Sequence, residues 1–173
     1  MEKPGNLVEI TANVAVEFLK KEYEKKPFAD FVEFKIFGTQ DFRMTWKTRI
    51  AVFAIDTFLD SALREAKGSS LTFDGFGPEH RLIDMMVSIC ASDGMIQNQF
   101  LGWIPLVFQD KPFLSADEVK AFSGDEFTFH GLQFTEKPYP LEEKLKIWNL
   151  MTQQAYQPSY FYQVKLIAEH AKK

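Results

Sequence analysis

The fold depends on the secondary structure of residues 78–91, which read Pro-Glu-His-Arg-Leu-Ile-Asp-Met-Met-Val-Ser-Ile-Cys-Ala. Ile83, Met86 and Cys90 in this stretch recur at the spacing of one helical face. Proline is tolerated in the first turn of a helix, and Asp93-Gly94 supplies a residue pair at which a helix can end. We therefore predict a helix from Pro78 to Ala91.

Upstream of this stretch, the apolar residues follow helical spacing in two places. Leu7, Ile10, Val14 and Phe18 recur as on one helical face, which predicts a helix over about 7–25. Helical spacing returns from about 50 to 66, and we predict a second helix there. A short strand is predicted at 70–73.

Two other segments have the period of strands. Large apolar residues alternate with polar ones over 42–47 and also over 31–37, and Gly38-Thr39-Gln40-Asp41 lies between them, which predicts a β-hairpin. Residues 127–134, Phe-Thr-Phe-His-Gly-Leu-Gln-Phe, predict a second hairpin that turns at His130-Gly131.

The remaining elements complete the predicted fold. Pro105 and Pro112 interrupt residues 95–114, which we expect to be irregular. Further helices are predicted at 115–122, 141–154 and 158–171. The fold class that results is α+β, with about five helices packed on a small antiparallel sheet built from two β-hairpins.

Composition and charge limit the classes of protein that the chain can represent. It has 173 residues, 46% of them hydrophobic and 25% charged, so we predict a single α+β domain over residues 1–173. The net charge of −4 comes without a basic tract, which argues against a nucleic-acid partner, although Arg43, Lys47 and Arg49 alternate along one predicted strand face. No apolar run approaches the roughly 20 residues that span a bilayer, so we expect no membrane partner and a cytoplasmic location.

The residues that most often carry catalysis form no recognisable motif in this sequence. Cys90 is the only cysteine, and in the predicted helix it lies roughly 15 Å from His80, too far for a hydrogen-bonded dyad. His80, His130 and His170 are widely separated and lack metal-ligand spacing. We therefore expect no catalytic residue, no metal and no cofactor.

Aromatic residues concentrate near prolines in segments that we expect to be loops. Tyrosine and tryptophan combine a large contact area with a polar group, and they are enriched in protein interfaces. These residues either pack down over the sheet or form a recognition surface. The predicted binding residues are Trp103, Phe108, Tyr139, Tyr156, Tyr160 and Tyr162.

These observations favour a small non-catalytic protein-binding module, such as an adaptor, an immunity-type inhibitor or an assembly component. Its partner would be another protein or a second copy in a homo-oligomer. The alternative is a small-molecule-binding protein or hydrolytic enzyme with an aromatic-lined pocket. In that alternative, His80 or His130 would be the general acid or base.

Overall fold

The computed structural model describes residues 7–38, 47–59, 79–123 and 127–170; at 58–59, 79–80, 127–128 and 167–170 only the backbone is described. These parts of the chain form four helices and six strands. The helices are α1 (Leu7–Lys25), α2 (Gly94–Asp110), α3 (Ala116–Ser123) and α4 (Leu141–Met151). The strands are β1 (Glu33–Ile36), β2 (Arg49–Leu59), β3 (Glu79–Cys90), β4 (Phe113–Ser115), β5 (Phe127–Glu136) and β6 (Ser159–His170).

The six strands form one mixed sheet in the order β1-β2-β3-β6-β5-β4. β1 pairs with β2 in parallel, whereas the other neighbouring pairs are antiparallel. The long strands β3 and β6 occupy the centre, with Ile83 opposite Val164 and Met86 opposite Phe161. The predicted fold class, about five helices on a small antiparallel sheet of two hairpins, is therefore wrong.

The predicted helix at 78–91 is wrong because this stretch is the central strand β3. Successive side chains of a strand point to opposite faces of the sheet. Ile83 and Met85 enter the larger hydrophobic core, while Met86 enters a second core on the other face. Because both faces are largely covered here, β3 carries apolar residues at successive positions, such as Met85, Met86 and Val87, and its length and composition also fit a buried helix.

The predicted helices at 158–171 and 50–66 are also wrong, because most of the described residues of these stretches lie in the strands β6 and β2. In β6, Val164 packs in the larger core and Phe161 in the second. In β2, Val52 and Ala51 divide between the two cores in the same way. Residues 60–66 and the strand predicted at 70–73 lie outside the described residues.

Three helices cover one face of the sheet, which we call the first face. α1, α2 and α3 contribute their buried residues to the larger core, among them Phe18, Phe108 and Val119. Phe18 and Phe108 pack with their ring centroids 5.8 Å apart, and each ring also approaches Phe134 of β5. Part of the high phenylalanine content is therefore explained by this core.

Helix α4 covers part of the opposite, second face. Its Trp148 is 0% exposed and packs in a small core with Phe37, Met86 and Phe161. The Trp148 indole N–H donates to the carbonyl of Gln154 at 2.9 Å, which satisfies the polar group of this buried side chain. One tryptophan thus fixes α4 against the sheet.

Neither predicted hairpin is present in the described residues. Residues 33–36 form the edge strand β1, which pairs in parallel with β2, and most of the partner predicted at 42–47 lies outside the described residues. β5 continues through His130-Gly131 with an irregular register there instead of a turn. Gly131 has φ of 138°, and a Cβ atom at this position would lie 2.5 Å from the Phe113 ring. The glycine therefore marks a bulge of the strand and a close approach of β4.

Residues 95–114, predicted to be irregular, contain the helix α2. Asp93 caps this helix at its N-terminus, since its carboxylate accepts hydrogen bonds from the N–H groups of Met95 (2.7 Å) and Ile96 (3.3 Å). Asp93-Gly94 therefore begins a helix, whereas the sequence suggested that it ends one. Pro105 lies inside α2.

The predicted helices at 7–25, 115–122 and 141–154 are confirmed by α1, α3 and α4, the last of which ends at Met151. The prediction of a single domain over residues 1–173 is untested and stays a prediction.

A capping box begins α3. Ser115 Oγ accepts from the N–H of Glu118 at 3.4 Å, and a Glu118 carboxylate oxygen accepts from the N–H of Ser115 at 3.0 Å. The same carboxylate pairs with the ammonium group of Lys111. The pKa of Glu118 is lowered to about 2. The hydrogen bond from Lys111 has the largest effect, and the hydrogen bond from the Ser115 N–H has the next largest.

We expect Glu118→Gln to destabilise the protein at neutral pH. Because the pKa of Glu118 is lowered in the folded state, its stabilising effect is present above the ordinary value of 4.5 and is lost as the pH falls toward about 2. The difference in the free energy of unfolding between wild type and variant should therefore shrink over that interval. Urea unfolding at several pH values measures it, with Glu143→Gln at the start of α4 as control. A difference that is independent of pH would contradict the role of the charge.

Candidate functional site

Three of the predicted binding residues converge on one cavity. Tyr139 precedes α4, Tyr156 follows it, and Tyr160 lies at the start of β6. Together they line a cavity of about 250 Å³. The rest of its wall is formed by Leu101, Leu141, Lys144, Pro158 and Ser159. We call this cavity the tyrosine pocket.

Pro105 explains the position of Tyr160 in this pocket. A proline inside a helix has no N–H group to donate to the carbonyl four residues earlier, which here belongs to Leu101. The hydroxyl group of Tyr160 donates to the Leu101 carbonyl at 2.5 Å. A side chain of β6 thus replaces the missing helical hydrogen bond and holds α2 against the sheet at the pocket.

Lys144 forms the polar wall of the tyrosine pocket. Its ammonium group donates to the carbonyl of Ser159 at 3.0 Å and lies 5.3 Å from the centroid of the Tyr160 ring. Burial lowers the pKa of Lys144, although the negative charge of Glu136 acts in the opposite direction. Burial also raises the pKa of Tyr160. The wall therefore presents one cation among aromatic surfaces.

Exposed leucines extend the apolar surface of the tyrosine pocket. Leu141 is 61% exposed and Leu145 is 36% exposed, and they lie one helical turn apart on α4. Leu150, near the end of the same helix, is 88% exposed but is not part of the pocket wall. An open cavity beside exposed leucines is the kind of surface that binds a partner protein.

The other three predicted binding residues do not join the tyrosine pocket. Trp103 is half-buried in an aromatic cluster, where its ring lies 5.6 Å from Tyr23 and 5.9 Å from Phe100. Phe108 and Tyr162 are buried in the larger core, with their ring centroids 4.3 Å apart. Whether any of the six residues binds a partner is untested and stays a prediction.

The proposed histidines are not brought together with Cys90. His80 and Cys90 are ten residues apart on the same strand, which separates them by roughly 33 Å. The backbone of His80 pairs with Ile167, which pairs in turn with Gly131, so β6 lies between His80 and His130. His130 is exposed on β5 and lines none of the three cavities that are formed by described residues.

A polar cluster lies on the second face of the sheet. Lys137 donates to both carboxylate oxygens of Asp84 at 2.8 Å, and the Gln163 amide donates to Asp84 at 3.2 Å. Burial acts to lower the pKa of Lys137, but its contacts with Asp84 outweigh this effect and the pKa is raised. The cluster is therefore a half-buried ion pair whose groups satisfy one another.

The described residues offer neither a metal site nor a membrane-spanning helix. Within residues 7–38, 47–59, 79–123 and 127–170, no group of three or more histidine, cysteine or acidic side chains is placed to hold a metal ion. In the same part of the chain, no helix combines the length and the apolar character needed to cross a bilayer.

Sequence reasoning missed Leu101, Leu141 and Lys144 as pocket residues. Leu101 was assigned to an irregular segment, so its approach to Tyr160 had no basis in the sequence. Leu141 and Lys144 lie two and five residues after Tyr139, which is one of the predicted binding residues. If the candidate binding residues included the first helical turn after Tyr139, both Leu141 and Lys144 would be among them.

Comparison with known proteins identifies relatives of this chain. The model of the Pvc16 N-terminal domain family matches residues 17–172. One similar solved structure is the sheath/tube terminator, in the extended state, of the extracellular contractile injection system PVC (TM-score 0.58, 12% identity, 99% of this chain and 59% of that chain covered). Another is the tube-terminating cap of the anti-feeding prophage (TM-score 0.56, 13% identity, 98% and 57% covered). The sequence has no significant match among curated proteins.

We expect Tyr160→Phe to destabilise the protein by about 1–3 kcal/mol, because it leaves the half-buried Leu101 carbonyl without a donor. In a Pro105→Ala background the same change should cost less, since the restored N–H at position 105 can donate to that carbonyl. Urea unfolding of the four proteins in this double-mutant cycle measures the coupling. Equal costs in the two backgrounds would mean that the hydroxyl group does not substitute for the missing helical bond.

Proposed function

This chain belongs to the Pvc16 N-terminal domain family, and we propose that it is a structural component of a contractile injection assembly, where it binds other proteins at the end of a tube or sheath. The family match covers most of the chain and is the observation that carries the proposal. The fold likeness to a sheath/tube terminator and to a tube-terminating cap supports it.

The chain corresponds to only part of those two proteins. It spans 59% of the length of the terminator and 57% of the length of the cap. Termination of a tube is a role of those whole proteins, and its extension to this chain is part of the proposal.

The geometry of the tyrosine pocket supports a protein-binding role. Leu141 and Leu145 expose apolar surface beside a cavity whose walls come from α2, α4 and β6. The position of this surface is fixed by buried contacts of the same elements, notably Trp148 and the Tyr160–Leu101 hydrogen bond. Pre-positioned apolar side chains lose little freedom on binding, which favours association with another protein of the assembly or a second copy.

In cells that produce the particle, deletion of the gene for this chain should give tubes and sheaths without defined ends. Negative-stain electron microscopy measures this as a broader distribution of tube lengths. Complementation with the wild-type gene should restore the original distribution. Unchanged ends and lengths after deletion would overturn the proposed function.

Variants of α4 test whether the tyrosine pocket is the contact surface. Leu141→Asp and Leu145→Asp place a charge in the proposed interface, and each should fail to restore defined ends because the carboxylate loses its hydration on binding. Leu150→Asp on the same helix is the matched control and should behave as wild type. Circular dichroism verifies that the three variants fold. Full complementation by Leu141→Asp and Leu145→Asp would remove this pocket from the proposal.

The alternative of a histidine-dependent enzyme receives no support from a specific observation. The tyrosine pocket contains Lys144 as its charged group, and no histidine lies in its wall. Assembly is therefore the function that the described geometry favours.

A further inference from the structure

A second cavity lies on the first face of the sheet, beyond the end of α2. It has a volume of about 450 Å³, within the usual size range of ligand pockets. Its lining residues are Pro105, Phe108, Gln109, Pro112, Phe134, Glu136 and Tyr162. We call it the β5–β6 cavity, because Glu136 and Tyr162 of its wall lie on those two strands.

Tyr162 in this cavity has an unusual polar group. The residue is only 2% exposed, and its buried hydroxyl oxygen has no hydrogen-bond partner. A buried polar group in this state costs free energy, and native proteins seldom leave one without a compensating role. Burial, reinforced by the charge of Glu136, raises the pKa of Tyr162, so the hydroxyl group stays neutral and can accept or donate a hydrogen bond.

Glu136 places a negative charge close enough to act on that hydroxyl group without being hydrogen-bonded to it. The two residues are partners in the β5–β6 ladder, so their side chains lie next to each other on the same face. Glu136 is exposed and forms no salt bridge with the described residues. Its charge reaches Lys144, but the Lys144 ammonium group is hydrogen-bonded to the Ser159 carbonyl.

Aromatic rings complete the β5–β6 cavity. Phe108 packs between Tyr162 and Phe134, with ring centroids 4.3 Å and 4.9 Å away respectively. Aromatic faces attract cations through the ring quadrupole, and the attraction increases when the cation loses water. At the rim, Gln109 and Glu136 are exposed, so their side chains can turn aside on a fast timescale as a ligand enters.

We propose that the β5–β6 cavity binds an arginine side chain of a partner protein. The aliphatic part of the side chain packs on Phe108 and Phe134. The guanidinium group pairs with the Glu136 carboxylate and donates to the Tyr162 hydroxyl oxygen. A guanidinium suits this site because it is weakly hydrated and stacks on aromatic rings while it donates several hydrogen bonds. This inference does not depend on a role in tube termination.

Titration of the full chain with the peptide acetyl-Gly-Arg-Gly-amide tests the site. The ¹³Cζ resonance of tyrosine, assigned to Tyr162 with Tyr162→Phe, reports on the environment of the hydroxyl group. We expect this resonance to shift with saturation. The isosteric citrulline peptide, which is neutral, should bind about tenfold more weakly because it lacks the charge-assisted hydrogen bonds. Equal affinity for the two peptides would overturn the proposal, and so would the absence of binding at millimolar peptide concentration.

Two variants identify the groups that bind the peptide. Glu136→Gln should weaken binding of the arginine peptide about tenfold, whereas Glu143→Gln, which removes a carboxylate outside the cavity, should leave it unchanged. For Tyr162→Phe, which lacks the tyrosine reporter, the backbone amide chemical shifts measure the affinity for the arginine peptide. This affinity should also be lower than that of the wild type. Unchanged affinity in Glu136→Gln would exclude the cavity as the site.

A stability measurement separates the proposed role of Tyr162 from a structural one. If the hydroxyl group is unpartnered in the free protein, Tyr162→Phe should leave the free energy of unfolding unchanged or increase it. Loss of binding together with retained stability supports the proposal. Loss of stability in urea unfolding would show that the hydroxyl group has an internal partner, and the proposal would then fail.

A free small-molecule cation is the competing occupant. Ethylguanidinium carries the same charged group without a peptide backbone. If ethylguanidinium binds with the same affinity as the arginine peptide, the cavity is a site for a small cation, and the proposal of a protein partner fails. Tighter binding of the peptide than of ethylguanidinium supports the protein partner.

Discussion

The antiparallel pairing of β3 with β6 is the constraint on which the rest of the structure depends. These two long strands lie at the centre of the sheet, and each contributes side chains to both hydrophobic cores. The backbone N–H and C=O groups of this central pair need partners within the sheet, because the two hydrophobic cores cover much of both faces here. With the central pair in place, the first face accommodates α1, α2 and α3, and the second face receives α4. The edge strands β1 and β4 are short, which limits the unpaired backbone that the sheet exposes.

A missing backbone hydrogen bond in α2 links this scaffold to the tyrosine pocket. Pro105 removes one helical hydrogen bond, and the Tyr160 hydroxyl group of β6 donates to the carbonyl that loses it. The same short segment of β6 carries Tyr162, whose hydroxyl group has no partner. Two tyrosines two residues apart on one strand face thus have opposite hydrogen-bonding states. One is committed to the fold, and the other remains available to a ligand.

The charge of Glu136 acts on residues of both cavities. Glu136 lines the β5–β6 cavity directly, and its charge also acts on Tyr160 and Lys144 in the wall of the tyrosine pocket. The two candidate sites therefore share the charge of Glu136 as an electrostatic neighbour. An assembly component can use neighbouring apolar and charged contacts in two ways. The apolar area contributes affinity for the partner, and charge complementarity fixes the register in which the partner binds.

The sequence by itself determined the helices that have one buried and one exposed face. α1, α3 and α4 have both buried and exposed residues, so their helical period is visible in the order of apolar and polar residues. The capping box of α3 is local in the same sense, since its hydrogen bonds join residues only three apart. The aromatic-and-proline segments also drew attention to Tyr139, Tyr156 and Tyr160, which the fold brings to one cavity.

Only the tertiary structure decided the identity of β2 and β3. A strand that is covered on both faces carries apolar residues at successive positions, and the period that distinguishes it from a helix disappears. The helix α2 was hidden for a different reason. Its internal proline is tolerated because a tyrosine 55 positions later donates to the freed carbonyl. The β5–β6 cavity likewise depends on cross-strand neighbours such as Glu136 and Tyr162, and residues that distant in sequence become neighbours only through the pairing of the strands.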